Sequence, residues 1–324
     1  AALADASLAT KGGGGNTVRN ITACPHAGVC SRETFDVAPH AVAVTEFLLP
    51  APLSYQLPRK YKIAFSGCGA DCASATVSDV GFIARRRGGE EGFAVYVGGG
   101  LGAHSRVADL FEDFVPAADT FLVAEAVKRV FDKHGNRKDR NRARLRFLIE
   151  GIGLPAFREM YEAELAALRR SPPACPTPRP FGPPSRDPAA GEGSGPAERS
   201  PDFEQWRACN VAPQRQAGFH VVEVPLSLGD IPAGGLRRLA DVVERFGEGL
   251  LRTTQRQHAL LRWVPEAELG QVHQALAALG LAEPLPAVLR QIVACAGAST
   301  CRLGICLSRG LATAISQTLS CDGV

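Results

Sequence analysis

One pattern occurs twice in this chain and restricts its architecture more than any other feature. Ile21-Thr22-Ala23-Cys24 runs on through five residues to Cys30, and Ile292-Val293-Ala294-Cys295 runs on through five residues to Cys301. A repeated Ile-x-Ala-Cys-x5-Cys signature near the two ends implies one cysteine-bearing unit used twice. The first copy is followed by Cys68 and Cys72, a Cys-x3-Cys pair inside Ser66-Gly67-Cys68-Gly69-Ala70-Asp71-Cys72, and the second has no such pair before Val324.

Four thiolates delivered as two pairs can hold a metal centre of all-cysteine ligation. Structural zinc takes cysteine pairs two to four residues apart, so the x5 spacing argues against a zinc ribbon. A secreted disulfide framework is disfavoured, because 324 residues, 45% of them hydrophobic, can bury a core without staples. Gly67 and Gly69 beside Cys68 let backbone amides approach inorganic sulfur, which favours an iron–sulfur cluster over four unrelated buried thiols. Cys175, Cys209, Cys306 and Cys321 have no matching spacing and read as plain thiols.

A formal net charge of +3 gives no reason to expect a nucleic-acid or membrane surface. No apolar run reaches the ~18–20 residues of a membrane-spanning helix. The chain starts at Ala1, its one methionine is Met160, and no charged-then-apolar signal opens it. The expectation is an internal piece of a longer polypeptide, with a processed mature chain as the alternative.

Ten of the 23 prolines lie between Ser171 and Pro201, so residues 171–212 are expected to form a linker. Before it, Lys60–Phe65 and Phe93–Val97 read as strands. Phe121, Ala124, Val127 and Phe131 mark an amphipathic helix over Thr120–His134 that stops at Gly135. Further helices are expected over Arg140–Glu150 and Pro155–Leu168. After the linker, His220–Val224, Leu250–Thr254 and Ala259–Val264 read as strands. Gly234–Phe246 reads as a helix, and another starts with Pro265 at its first position and runs to Leu279. That order suggests a small α+β layer.

Several motifs in sequence resemble the sulfite and nitrite reductases that couple sirohaem to a [4Fe–4S] cluster. They are Val18-Arg19-Asn20, Leu57-Pro58-Arg59-Lys60-Tyr61-Lys62, Gly98-Gly99-Gly100-Leu101-Gly102, Arg252-Thr253-Thr254-Gln255-Arg256-Gln257 and the two Cys-x5-Cys pairs. The resemblance covers residues 12–165 and 213–324. It implies an α+β fold in which ferredoxin-like half-domains alternate with sirohaem/4Fe-4S-binding half-domains. On that template residues 1–11 end a first ferredoxin-like half and 12–170 form the first 4Fe-4S/sirohaem domain. Residues 213–283 form the second ferredoxin-like half, and 284–324 begin a truncated second 4Fe-4S/sirohaem domain.

The resemblance further implies a cytoplasmic oxidoreductase that reduces sulfite to sulfide or nitrite to ammonia. It would take electrons from a separate carrier such as ferredoxin, with no nucleic-acid or membrane partner. Arg19, Lys60 and Lys62 correspond to the residues that bind the anion and supply protons. Lys60 and Lys62 would share one face of a strand. Arg140 and Arg144, expected on one helix face, together with Arg252 and Gln257, correspond to cofactor-binding positions. Cys24, Cys30, Cys68, Cys72, Cys295 and Cys301 correspond to cluster ligands, with one cluster or two in the complete chain left open. A precorrin-3B synthase-like enzyme and a non-catalytic iron–sulfur electron carrier are the alternatives.

Overall fold

The computed structural model describes residue 5 and residues 12–102, 104–174, 176–179, 200–301 and 304–321. It divides into two units, Ala1–Phe181 and Gly182–Val324.

The first unit is built on a five-stranded sheet in sequence order. Strand β1 (Thr22–Ala23) runs parallel to β2 (Ile63–Ser66), and β2 runs parallel to β3 (Val80–Arg87). Antiparallel pairing then adds β4 (Glu90–Val97) and β5 (Asp109–Pro116). Helix α1 (Ala38–Leu48) lies between β1 and β2 in the chain, and α2 (Thr120–His134), α3 (Leu145–Ile152) and α4 (Leu154–Arg170) follow the sheet.

Alternation along the strands sorts the two faces. Ile63 and Phe65 of β2, Val80, Phe82 and Ala84 of β3, and Phe93, Val95 and Val97 of β4 join one core with the apolar sides of α1, α2 and α4. Phe65 and Phe82 stack there at 4.6 Å, with Phe93 edge-on to both. The opposite residues Ala64 and Ile83 meet Ala73 and Ala75 of the segment after Cys72 in a smaller cluster.

The second unit carries a four-stranded antiparallel sheet ordered β6-β7-β9-β8. Its strands are β6 (Val211–Pro213), β7 (Phe219–Val224), β8 (Arg252–Thr253) and β9 (Ala259–Pro265). Helices α5 (Pro201–Asn210), α6 (Ala233–Arg245) and α7 (Leu269–Ala277) supply Phe203, Trp206, Leu239, Val243, Val272 and Leu276 to one core with Val222, Val224 and Leu261. Residues 284–301 and 304–307 are mostly irregular and precede α8 (Ser308–Cys321).

The helix over Thr120–His134 has the bounds expected of it. Other expectations need correction. The helix expected over Arg140–Glu150 is a 3-10 turn (Arg140–Arg142) followed by α3, with Arg144 in extended conformation (ψ 155°) as the N-cap between them. Arg140 and Arg144 therefore do not share a helix face. The residues expected to be linker include α5: Ser200 caps it by accepting from Phe203 N–H (3.2 Å), Pro201 starts it, and Trp206 is fully buried. Pro265 ends β9 and precedes a 3-10 turn, so α7 begins later than expected. Lys60 precedes β2 rather than opening it. Strands β3 and β5 and helix α1 had no expectation attached.

Candidate functional site

The paired cysteines of the first unit sit at the ends of neighbouring parallel strands. The β1–β2 register matches Ala23 with Phe65, and Cys24 N–H donates to Phe65 O (2.9 Å), so Cys24 leaves the sheet beside the residues that lead to Cys68. Cys30 N–H closes the first turn on His26 O (3.0 Å). Asp71 shapes the second loop. Its carboxylate accepts from Ser66 Oγ (2.6 Å), Ala75 N–H (2.7 Å), Thr76 N–H (3.0 Å) and Thr76 Oγ1 (2.6 Å). That fold-back returns Cys72 to Cys24. The two thiols are hydrogen-bonded, and that bond first, then burial, pushes the Cys24 thiol far above its ordinary value, with Cys30 adding to the rise.

Among the described residues no three His, Cys, Asp or Glu side chains converge as a single metal ion requires. A [4Fe–4S] cluster makes a different demand, one thiolate per iron around a cube. Cys24, which interacts with both Cys72 and Cys30 where β1 ends, could supply thiolates to such a group. Cys68 stands apart: its carbonyl accepts from Asp71 N–H (3.2 Å), but no bond joins its thiol to the other three among the described residues.

A group of cations assembles on the same unit. Residues Thr17–Arg19 run alongside Tyr61, with Tyr61 N–H donating to Thr17 O (2.9 Å) and Arg19 N–H to Tyr61 O (2.8 Å). This bridge brings Arg19 beside Lys60 and Lys62. The Arg19 guanidinium is held by Gly13 O (2.9 Å) and Gly15 O (2.9 Å). Tyr61 and Ile63 are buried, whereas Lys60 is half-buried and Lys62 exposed, and the charge of Lys62 acts on Lys60. Burial, then the charges of Arg144, Lys62, Arg19 and Arg59, holds the Lys60 ammonium below its ordinary 10.5. Arg19 is likewise lowered by burial, Arg59 and Arg144.

One acid stands against these charges. Asp79, 0% exposed, accepts from Lys62 N–H (2.8 Å) and takes the Arg144 guanidinium by both edges (Nε 3.1 Å, Nη2 2.8 Å). Burial raises the Asp79 carboxyl, and Arg144 opposes that rise. Sequence reading missed Asp79 because nothing marks an acid in front of a buried strand as special. Arg146 is buried too, with its Nε unpartnered, and is lowered by burial and by Arg144. The glycine turn serves these arginines: a Cβ on Gly100 would overlap Arg146 Nη1 and touch Arg144 Nη2 at 3.4 Å. Arg140 is exposed and lies outside the group. Arg19, Arg59, Lys60, Lys62 and Arg144 act on one another electrostatically while Asp79 engages Arg144 and Lys62, so the locus can hold a small anion.

In the second unit Cys295 and Cys301 share an exposed loop. Ser308 Oγ lies 3.4 Å from Cys295 Sγ and donates to Cys295 O (2.9 Å). The Ser308 hydrogen bond first, then the Gly297 N–H, holds the Cys295 thiol below its ordinary value, favouring the thiolate, the form of cysteine that can ligate a metal. Gly297 has φ +57°, and a Cβ there would overlap Ser308 Oγ, so only glycine keeps this cradle. The loop fits an iron–sulfur ligand pair.

The two remaining cofactor candidates are engaged within the protein. Arg252 on β8 lies 3.9 Å from Glu248, whose carboxylate grips the buried Arg262 (2.5 and 2.7 Å). Gln257 pairs its amide with the backbone of Ala294, Nε2 donating to Ala294 O (2.9 Å) and Oε1 accepting from Ala294 N–H (3.1 Å).

Residues 14–167 match the family model "Nitrite and sulphite reductase 4Fe-4S domain", and residues 212–279 match "Nitrite/Sulfite reductase ferredoxin-like half domain". A ferredoxin–nitrite reductase of Synechococcus elongatus is 30% identical over 328 residues, covering 95% of this chain and 57% of that protein. A sulfite reductase [ferredoxin] of Mycobacterium tuberculosis is 30% identical over 309 residues, covering 95% and 51%. The solved structure of the NirA protein of Mycobacterium tuberculosis superposes with a TM-score of 0.75 at 28% identity, covering 94% of this chain and 52% of that one. The chain thus spans about half the length of the curated relatives it matches.

Proposed function

Because this chain belongs to the nitrite and sulfite reductase family, we propose that it is part of an enzyme that reduces sulfite to sulfide or nitrite to ammonia in the cytoplasm, with electrons from a ferredoxin-type carrier. The observation that carries this reading is the cation group of Arg19, Arg59, Lys60, Lys62 and Arg144, with the buried acid Asp79 engaging Arg144 and Lys62. Sirohaem coupled to a [4Fe–4S] cluster supplies the electron storage that no side chain provides. Cys295 and Cys301 would hold the coupled cluster, and Cys24, Cys30 and Cys72 a further one.

The chain's own residues handle the anion and the protons. Lys60 and Lys62 present ammonium groups to a small oxyanion, and Arg19 closes the anion in with a fixed guanidinium. A depressed ammonium releases its proton more readily than an ordinary lysine, so Lys60 is suited to hand a proton to an oxygen that leaves as water. Arg144, tied to Asp79, contributes charge without moving. Among the described residues no helix is long and apolar enough to cross a membrane.

The test is an anaerobic absorption spectrum, with iron and sulfide analysis, of the complete protein. Sirohaem bands that shift on adding sulfite or nitrite are expected. Iron and sulfide without haem bands would overturn the reductase reading in favour of an electron carrier or a corrin-pathway enzyme. Lys62→Ala should abolish most anion reduction while leaving the cofactor spectrum intact, and normal turnover in that variant would sink the anion-site assignment.

A further inference from the structure

We propose that Gln257 is a positioning residue for Cys295: it fixes the second cysteine loop through the backbone and is not itself a cofactor ligand. The proposal rests on the reading that Cys295 ligates an iron–sulfur cluster.

The geometry begins in the turn between β8 and β9. Thr254 N–H donates to His258 O (2.9 Å), Gln257 N–H donates to Thr254 O (3.1 Å), and Thr254 Oγ1 accepts from the N–H groups of Arg256 (3.2 Å) and His258 (3.1 Å). These bonds hold Gln257 at φ +65°, a left-handed conformation that a non-glycine residue adopts only when its surroundings enforce it. The conformation aims the side chain at residue 294. There Gln257 Nε2 donates to Ala294 O (2.9 Å), and Ala294 N–H donates to Gln257 Oε1 (3.1 Å).

A primary amide carries one donor and one acceptor edge side by side, so it pairs with a peptide as a neighbouring strand would. Arg or Lys offers only donors and ionised Glu only acceptors, and Asn is one carbon shorter. Glutamine at 257 is therefore read by the backbone of Ala294, whose side chain is itself buried. The next residue is Cys295, anchored on its other side by Ser308. The thiolate is thus framed by the β8–β9 turn and the start of α8. Groups that orient a ligating sulfur set cluster retention and potential even though they never touch the metal. This accounts for the Thr254–Gln257 part of the motif as a holder of the cysteine loop.

The test uses the complete protein with Gln257→Met, which keeps the length of the side chain and removes both polar ends. In iron-free protein, amide exchange at Ala294 should speed up about tenfold, since its acceptor is gone. Exchange in the α6–α7 core should be unchanged, which separates this effect from unfolding. In reconstituted protein the same variant should lose iron and sulfide faster under chelator challenge and show a shifted cluster midpoint potential. Should Gln257→Met not fold, Gln257→Glu keeps the acceptor for Ala294 N–H, and slowed exchange at Ala294 relative to free peptide should persist. Unchanged exchange at Ala294 in Gln257→Met, or lost haem absorbance with unchanged exchange, overturns the proposal and makes Gln257 a ligand or a bystander. Absence of iron and sulfide from the unsubstituted protein overturns the underlying cluster reading before any variant is made.

Discussion

At Lys60 a cost in stability and the proposed binding function are the same property. Partial burial first, then four neighbouring cations, lowers its ammonium below 10.5. A base depressed on folding contributes stability that is present above its ordinary value and is lost as the pH falls through the depressed one. At neutral pH the protonated group therefore works against folding. Lys60→Met should raise the urea midpoint of the complete chain at pH 7 in low salt, and the gain should vanish as the pH approaches 10.5. Sulfite or sulfate should raise the melting temperature of the unsubstituted protein more than chloride at matched ionic strength, and Lys60→Met should lose that selectivity. A destabilised Lys60→Met would contradict the account. Asp79 is the counterpart. Asp79→Ala leaves the buried Arg144 charge and Lys62 N–H without their acceptor, so unfolding experiments should show a loss of ~3–5 kcal/mol.

Elements differ in how far their own sequence determines them. Helix α2 is legible because Phe121, Ala124, Val127 and Phe131 repeat at helical spacing and Gly135 follows. The arginine run 140–146 has no such stripe. Its backbone is set by the bond from Arg144 to Asp79, 65 residues away in the chain, which local periodicity cannot reveal. Helix α5 was obscured for another reason. Ser200, Pro201 and Asp202 form a good helix start, but they adjoin a proline-rich stretch whose composition dominated the reading. Trp206→Ala tests the corrected boundary. If α5 is part of the second core, the substitution should cost about 3–5 kcal/mol in unfolding experiments, whereas a linker tryptophan would cost almost nothing. The site shows the same division. Arg19, Lys60 and Lys62 were nameable through the motifs, but the bridge between Thr17–Arg19 and Tyr61 that joins them is tertiary. For Gln257 the motif gives the residue, whereas the pairing of its amide with the Ala294 backbone is tertiary.

At the scale of the whole molecule, the repeated cysteine signature now rests on two different supports. In the first unit Cys24 leaves the end of a parallel strand and interacts with Cys72 and Cys30. In the second, Cys295 and Cys301 lie on an exposed loop framed by Gln257 and Ser308. The Cys24 thiol, bonded to Cys72 and buried, resists ionisation on its own, and a cationic iron centre would reverse that by binding the thiolate. The first unit is therefore expected to hold its own cluster, with the loop of Cys68 closing on it. The complete protein should then contain about eight cluster irons per chain, four for each cluster. Cys24→Ser should remove about half of them while the haem bands and their response to sulfite or nitrite persist. Cys295→Ser should remove the other half and abolish that response. An iron count unchanged by Cys24→Ser would mean that the first set of thiols is packing left over from the repeat, and that the second loop carries the redox chemistry alone.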